Sequence, residues 1–152
     1  MYSVDQASDN TPSLEGVQND EYRPQTQFFE KMDLHADKSN YTNRTFSTYV
    51  RAGDFIFCNF QAANPAGNIE QQTEECFRNL KETLKHAGAT MDDVVKVTVL
   101  IKNPDEFQKM DDVYKRQFTN GYPARITTIV AGFLDEGGRI QIDAIAYKPV
   151  QG

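Results

Sequence analysis

The stretch of sequence with the clearest chemical potential places one arginine, Arg125, between a proline-containing turn and a β-branched run. Pro123 fixes its own φ angle and disfavours helical geometry at the preceding residue, so Arg125 should stand at a stiff strand entrance. Residues 126–131 should form that strand, because Val, Ile and Thr pack well on a pleated sheet. A guanidinium held in this way suits a carboxylate or a phosphate. The alternative interpretation is an ordinary surface ion pair.

A second residue of chemical interest is Asp111, which lies in a predicted helix, four residues after Phe107 and three before Tyr114. This spacing places it on their apolar stripe, although a carboxylate avoids burial without a partner. Asp111 either remains hydrated at the edge of the stripe or belongs to a site or a subunit contact.

Other common catalytic groups find little support in the sequence. The two histidines, His35 and His86, have no partner at the spacing of a metal site or a catalytic triad. Cys58 and Cys76 form no CxxC or Cys/His grouping, so we expect two buried or half-buried thiols. We therefore expect no metal site.

Charge and hydropathy exclude several classes of partner. The net charge of −6 and the pI near 4.9 argue against nucleic acid, which binds clustered Lys and Arg. No apolar run approaches the roughly 20 residues that span a bilayer, and Met1 to Asn10 are too polar for a signal peptide. We expect a soluble cytoplasmic protein with no membrane partner.

The length of 152 residues predicts one domain, because such a chain buries roughly two thirds of its unfolded surface in a single core. Residues 1–21 have the composition of a disordered tail. Residues 22–45 form an N-terminal extension in which 27–32 could be a first strand, and 46–152 form the main domain.

The elements that must position Arg125 and Asp111 follow from periodicity. Apolar residues at three- and four-residue steps predict a helix from Ile69 to Ala87, with Gly88 as its left-handed cap. Asn103-Pro104 should begin a second helix. Strands are predicted from the aromatic-rich run 54–60, which has the character of a buried strand, from the β-branched run 94–101, and from 139–147. The second helix should bury Phe107, Met110, Val113, Tyr114 and Phe118.

This order of elements predicts an α+β domain in which both helices pack on one face of the sheet. The other face then needs a cover. A homo-oligomer is the economical way to supply one, so we expect pockets between subunits.

Five segments, taken in order, closely resemble the Rid family, the YjgF-like reactive intermediate deaminases, over about residues 46–149. The resemblance implies a chorismate-mutase-like α+β fold with a mixed sheet, and a homotrimer whose pockets lie between subunits. It also implies cofactor-free and metal-free hydrolysis of enamines or imines to keto acids and ammonia. The segments are Val50 to Phe57, Asp92 to Val99, Pro123 to Arg125, Ala131 to Gly137 and Ile142 to Ala146.

Arg125 matches the family arginine that clamps the substrate carboxylate. Other positions depart from the family pattern. Phe46 replaces a common tyrosine, and Asn59-Phe60-Gln61 replaces Ser-Gly-Gln, so that Phe60 would narrow the pocket. Thr127 stands where some members have cysteine.

The departures also affect the proton chemistry. Gln141 occupies the place of a glutamate that handles water or a proton, and glutamine cannot accept a proton at neutral pH. Asp111 stands where the family commonly has asparagine. If Asp111 of one subunit faces Arg125 and Gln141 of another, Asp111 supplies the carboxylate that the family glutamate would otherwise provide.

Three functions follow from this resemblance. The first is a cofactor-independent hydrolase or deaminase for a small carboxylate-bearing enamine or imine. The second is a non-catalytic carboxylate-binding or regulatory protein, which Phe60 and Gln141 favour. The third is a ribonuclease activity sometimes attached to the superfamily, which the acidic charge disfavours.

Overall fold

A computed structural model describes residues 29–32 and 45–151 of the chain. The predicted tail, 1–21, and most of the predicted extension lie outside the described residues. The short strand expected near 27–32 is confirmed as β1, Phe29–Met32.

The described residues form one six-stranded mixed sheet in the order β1-β2-β3-β6-β4-β5. Neighbouring strands are antiparallel except β4 and β5, which are parallel. β5 is the last strand in this order, so it is an edge strand. The remaining strands are β2 Tyr49–Ala52, β3 Phe55–Gln61, β4 Val94–Ile101, β5 Ala124–Ile129 and β6 Ile140–Tyr147.

Helix α1, Ile69–His86, forms as its sequence predicts. Asn68 and Gln71 make a capping box, in which Asn68 Oδ1 accepts from Gln71 N at 2.9 Å and Gln71 Oε1 accepts from Asn68 N at 3.0 Å. At the other end Gly88 has a φ of +77°, a backbone conformation that side-chain-bearing residues rarely adopt. The apolar stripe predicted for α1 is buried.

Helix α2, Phe107–Lys115, follows a short 3-10 turn, Pro104–Glu106. Asn103 caps that turn through a hydrogen bond from Asp105 N, as the Asn-Pro pair predicted. Met110, Val113 and Tyr114 are buried. The prediction that Phe107 is buried is wrong, since it is 38% exposed.

Both helices pack on one face of the sheet, and the core lies between the helices and the sheet. Alternate strand residues point to this helix face, among them Ile56, Val97, Val99, Ile142 and Ala144. The predicted α+β architecture is confirmed at this level.

The opposite face of the sheet, here called the open face, carries large apolar side chains. Phe55, Phe57 and Tyr147 are each between 43% and 45% exposed, and the rings of Phe55 and Tyr147 lie 5.2 Å apart. The strand predicted from the run 54–60 is confirmed as β3, but its expected buried character holds only for alternate residues, since the others face away from the core. The same alternation holds along β4.

Two loops meet beside the start of α1. Gln72 is 1% exposed and joins residues 65–67 to residues 137–139 by hydrogen bonds. The loops approach so closely that a Cβ on Gly137 would lie 2.5 Å from the Pro65 carbonyl oxygen.

Among the described residues, no helix is long and apolar enough to cross a membrane.

Candidate functional site

Arg125 is the second residue of β5 and lies opposite Val97 of β4. Residues opposite each other in neighbouring strands point to the same side of a sheet, so Arg125 points to the helix face. Its side chain is 25% exposed. The predicted strand begins two residues earlier and ends two residues earlier than expected, and it presents Arg125 at its entrance as the sequence indicated.

Asp111 of α2 holds this guanidinium. Arg125 Nη1 donates to Asp111 Oδ1 at 2.7 Å, and Lys115 Nζ lies 3.0 Å from Asp111 Oδ2. The Asp111 side chain is only 14% exposed. The expectation that a carboxylate on this apolar stripe needs a partner is met by two cations. Asp111 and Arg125 pair within one chain, whereas the sequence suggested a contact between subunits.

The electrostatics of Asp111 follow from these neighbours. Burial raises its pKa, but the hydrogen bonds from Arg125 and Lys115 outweigh burial, and the net pKa lies below the ordinary value. The same contact raises the pKa of Lys115. Both shifts favour the charged forms of Asp111 and Lys115 near neutral pH.

Aromatic rings complete the setting of Arg125. Its guanidinium carbon lies 4.4 Å from the ring centroid of Tyr114 and 5.8 Å from that of Phe107, distances at which cation–π attraction is significant. Tyr114 in turn packs on Phe118 and Tyr122, with ring centroids 5.0 Å and 6.3 Å away. The Phe107 ring, which the sequence placed in the core, lies beside the Arg125 guanidinium instead.

Thr127 lies two residues after Arg125 on the same strand and opposite Val99, so it shares the helix face. Its Oγ1 is buried without a hydrogen-bond partner among the described residues, as is the hydroxyl of Tyr114. Buried polar atoms normally find a partner. Arg125 and Thr127 share the helix face of β5, and Asp111 pairs with Arg125. We call these three residues the clamp group.

The other predicted site residues lie elsewhere in the chain: Gln141 is in β6, Asn59 and Phe60 are in β3, and Phe46 precedes β2. Gln141 pairs with Leu100 and alternates with the buried residues Ile140 and Ile142, so it points to the open face.

Asn59 and Phe60 occupy an irregular part of β3, between the pairs that Cys58 and Gln61 make with β6. The rings of Phe46 and Phe60 lie 5.8 Å apart. We call these four residues the open-face group.

A single chain does not bring the two groups together. Arg125 lies in the row of Val97 and Ala144, whereas Gln141 lies three residues along β6 from Ala144 and two strands away from β5. Rows and strands at these spacings are each about 10 Å apart, and the two side chains point to opposite faces.

The sequence reasoning missed Lys115 and Tyr114 as neighbours of Arg125. A signal was present for Lys115, because residues four apart on a helix meet on its surface. Within residues 29–32 and 45–151, no three His, Cys, Asp or Glu side chains are grouped so as to hold a metal ion.

Comparison with known proteins decides the family. The family model described as endoribonuclease L-PSP matches residues 37–148, which is well over half of the chain. The chain belongs to this family. Its members include the YjgF and Rid proteins, so the resemblance found in the sequence is confirmed.

Individual members of the family agree with this assignment. The mitochondrial protein mmf2 of Schizosaccharomyces pombe is 38% identical over 111 residues, covering 68% of this chain and 87% of that protein. The 2-iminobutanoate/2-iminopropanoate deaminase of Bos taurus is 41% identical over 82 residues, covering 54% of this chain and 59% of the deaminase. The mitochondrial relative gives no support to a cytoplasmic location, which stays a prediction.

The fold is also that of the family. A YjgF/YER057c/UK114 family member from Mycobacterium tuberculosis superimposes with a TM-score of 0.69, covering 78% of this chain and 98% of that one. The sequence identity is 22%, so this likeness concerns the fold alone.

Proposed function

We propose that this Rid-family protein is a cofactor-independent deaminase that hydrolyses a small carboxylate-bearing enamine or imine to a keto acid and ammonia. The observation that carries the proposal is the clamp group. Arg125 is partly buried and held on Nη1 by Asp111, and within residues 45–151 its other nitrogen atoms have no ion-pair partner. A fixed guanidinium edge of this kind suits a carboxylate. The relatives named as imine deaminases support the reaction class.

The reaction needs little from the protein beyond orientation. An enamine gains a proton on carbon and loses one from nitrogen to become the imine, and the oxygen of a water molecule then adds to the imine carbon. One water proton passes to nitrogen as this bond forms, the second passes to nitrogen as the C–N bond breaks, and ammonia leaves as the carbonyl forms. Arg125 fixes the carboxylate next to the reacting carbon, and Gln141 orients the water through its amide group.

The two groups meet only if separate chains supply them. Arg125 of the clamp group points to the helix face at the sheet edge, and Gln141 of the open-face group points to the other face. We propose a homotrimer with pockets between subunits, as the resemblance implies, in which the clamp group of one protomer faces the open-face group of its neighbour. The exposed apolar side chains of the open face support such an assembly.

Asp111 has two possible roles in this site. The sequence suggested that it replaces the missing glutamate as proton acceptor, but its lowered pKa opposes that role, because a base works best near the operating pH. We therefore propose that Asp111 orients Arg125. Asp111→Asn should then keep kcat within about tenfold of wild type, whereas loss of a general base would reduce the rate about 10²- to 10⁴-fold.

Ammonia release from freshly generated 2-iminobutanoate or 2-aminoacrylate tests the proposed reaction. Arg125→Ala should weaken kcat/KM by about 10- to 150-fold, the equivalent of about 1.5–3 kcal/mol for a charge-assisted contact. Arg125→Lys is the matched control, because it keeps the charge but not the planar fork. Wild-type protein that releases no ammonia above the uncatalysed rate would refute the deaminase.

Protein refolded from a mixture of Arg125→Ala and Gln141→Leu chains tests the shared site. If the two groups of one pocket come from different protomers, some mixed assemblies contain an intact pocket, and activity should exceed that of either variant. Activity no higher than the sum of the two variants would refute the shared pocket.

The second candidate is a non-catalytic carboxylate-binding or regulatory protein on the same fold. Two departures from the family pattern favour it, since Gln141 cannot accept a proton and Phe60 adds bulk. Carboxylate binding that is lost in Arg125→Ala, without turnover by wild type, would support this candidate.

A further inference from the structure

Lys115 contacts Asp111 of the clamp group. Neither the sequence resemblance nor the proposed reaction gives it a role. It lies on α2, one turn after Asp111, with its side chain 51% exposed. Its Nζ is 3.0 Å from Asp111 Oδ2, while Arg125 takes Oδ1. One carboxylate is therefore shared by two cations on its two oxygens. Asp112, 3.7 Å from Lys115, is a weaker second partner.

This arrangement matters for a ligand carboxylate. The formal charges of Arg125 and Asp111 cancel, so an anion that approaches Arg125 also approaches a carboxylate only 2.7 Å from the guanidinium. The ligand carboxylate and the Asp111 carboxylate repel each other at short range, and the partly buried site screens this repulsion weakly. Lys115 is the remaining cation of the described residues that contacts Asp111. Its contact with Oδ2 fixes the orientation of the carboxylate, so that Oδ1 stays on Nη1 of Arg125.

We propose that Lys115 is a positioning and affinity-determining residue that enables Arg125 to bind a small carboxylate although Asp111 is paired with it. The inference rests on the proposed function, since it assigns Lys115 to the same carboxylate site. It acts through Asp111 and not by touching the ligand. Its effect must therefore disappear when Asp111 loses its charge.

A double-mutant cycle tests this dependence. The probe is 2-oxobutanoate, a stable keto acid of the product class, and its Kd is measured by calorimetry for wild type, Lys115→Met, Asp111→Asn and the double variant. Lys115→Met should raise the Kd roughly three- to tenfold, the size expected from losing one hydrogen bond that holds the Asp111 carboxylate in place. In the Asp111→Asn background, the same change should alter the Kd less than twofold.

Two further variants separate this role from a general charge effect. Lys109→Met removes the same charge from the same helix, where Lys109 lies 3.9 Å from Glu70, and should leave the Kd unchanged. Lys115→Arg keeps a cation within reach of Asp111 and should restore most of the affinity. The KM for the imine should follow the Kd, with kcat nearly constant.

Each outcome bears on a different statement. An unchanged Kd in Lys115→Met, or an equal effect in the presence and absence of the Asp111 charge, overturns the role of Lys115 and leaves the carboxylate site intact. Wild-type protein that binds no 2-oxobutanoate overturns both. Binding with the expected cycle but without ammonia release overturns only the deaminase.

Discussion

Gln72 should be among the most important polar side chains for the stability of this fold. It is 1% exposed at the start of α1. Its Nε2 donates to Gly67 O at 2.8 Å and to Gly137 O at 3.0 Å, while its Oε1 accepts from Arg139 N at 2.9 Å. The loop before α1 and the loop before β6 are therefore joined through one amide. Gln72→Leu keeps the approximate volume and removes these three hydrogen bonds together with a longer one, from Nε2 to Pro65 O at 3.4 Å.

The size of the effect follows from these bonds. An intramolecular hydrogen bond contributes about 0.5–1.5 kcal/mol net, and more is lost when a buried partner stays unsatisfied. Gly137 is exposed, so its carbonyl can bond to water instead. The apolar leucine also gains some burial energy. We expect Gln72→Leu to lower the free energy of unfolding by about 2–3 kcal/mol.

Urea unfolding at one fixed protomer concentration measures the change, since assembly would make stability depend on concentration. The matched control is Gln108→Leu, the same substitution on the exposed surface of α2, where Gln108 bonds to Asp112 at 3.0 Å. This control should change the stability by less than about 0.5 kcal/mol. A loss for Gln72→Leu no greater than that of the control would refute the reasoning.

Two other predictions concern ionisable groups. The folded-state pKa of Asp111 is lowered, so the carboxylate stabilises the fold above its unfolded pKa of about 3.9 and the stabilisation is lost as pH falls through the folded value. The difference in Tm between wild type and Asp111→Asn should therefore shrink below about pH 4, and a constant difference down to pH 2 would contradict it. Burial raises the pKa of Cys58 and Cys76 to about 12 each, so neither thiol should react with a thiol-specific disulfide reagent at pH 8 in the folded protein. Both should react in urea, and rapid labelling of folded protein would show that a thiol is accessible.

The parts of the fold that local chemistry decides could be predicted from the sequence. Seven residues at helical spacing define the buried stripe of α1, and Gly88 marks its end. The β-branched residues after Arg125 gave β5 within two residues at each end. The Asn103-Pro104 pair located the start of the segment that becomes α2. In each case the same few neighbours in sequence determine the conformation.

The exposure of aromatic residues could not be predicted in this way. Phe55 and Phe57 alternate with Ile56 and Cys58, and all four are residue types common in cores. Only the placement of both helices on one face decides which two are buried within the chain. That placement depends on long-range packing, which an apolar run of seven residues does not encode.

The site shows the same limit at the level of charge. The family resemblance identified Arg125 and Asp111 residue by residue, and the apolar stripe indicated that Asp111 needed a partner. Neither the resemblance nor the stripe could show that both carboxylate oxygens of Asp111 have a cation partner, Arg125 at Oδ1 and Lys115 at Oδ2. A carboxylate with two cations is a poor proton acceptor and a good anchor. Asp111 therefore affects the position of the Arg125 guanidinium more than it affects the supply of protons, and Lys115, one turn later on α2, contacts the carboxylate oxygen that Arg125 leaves free.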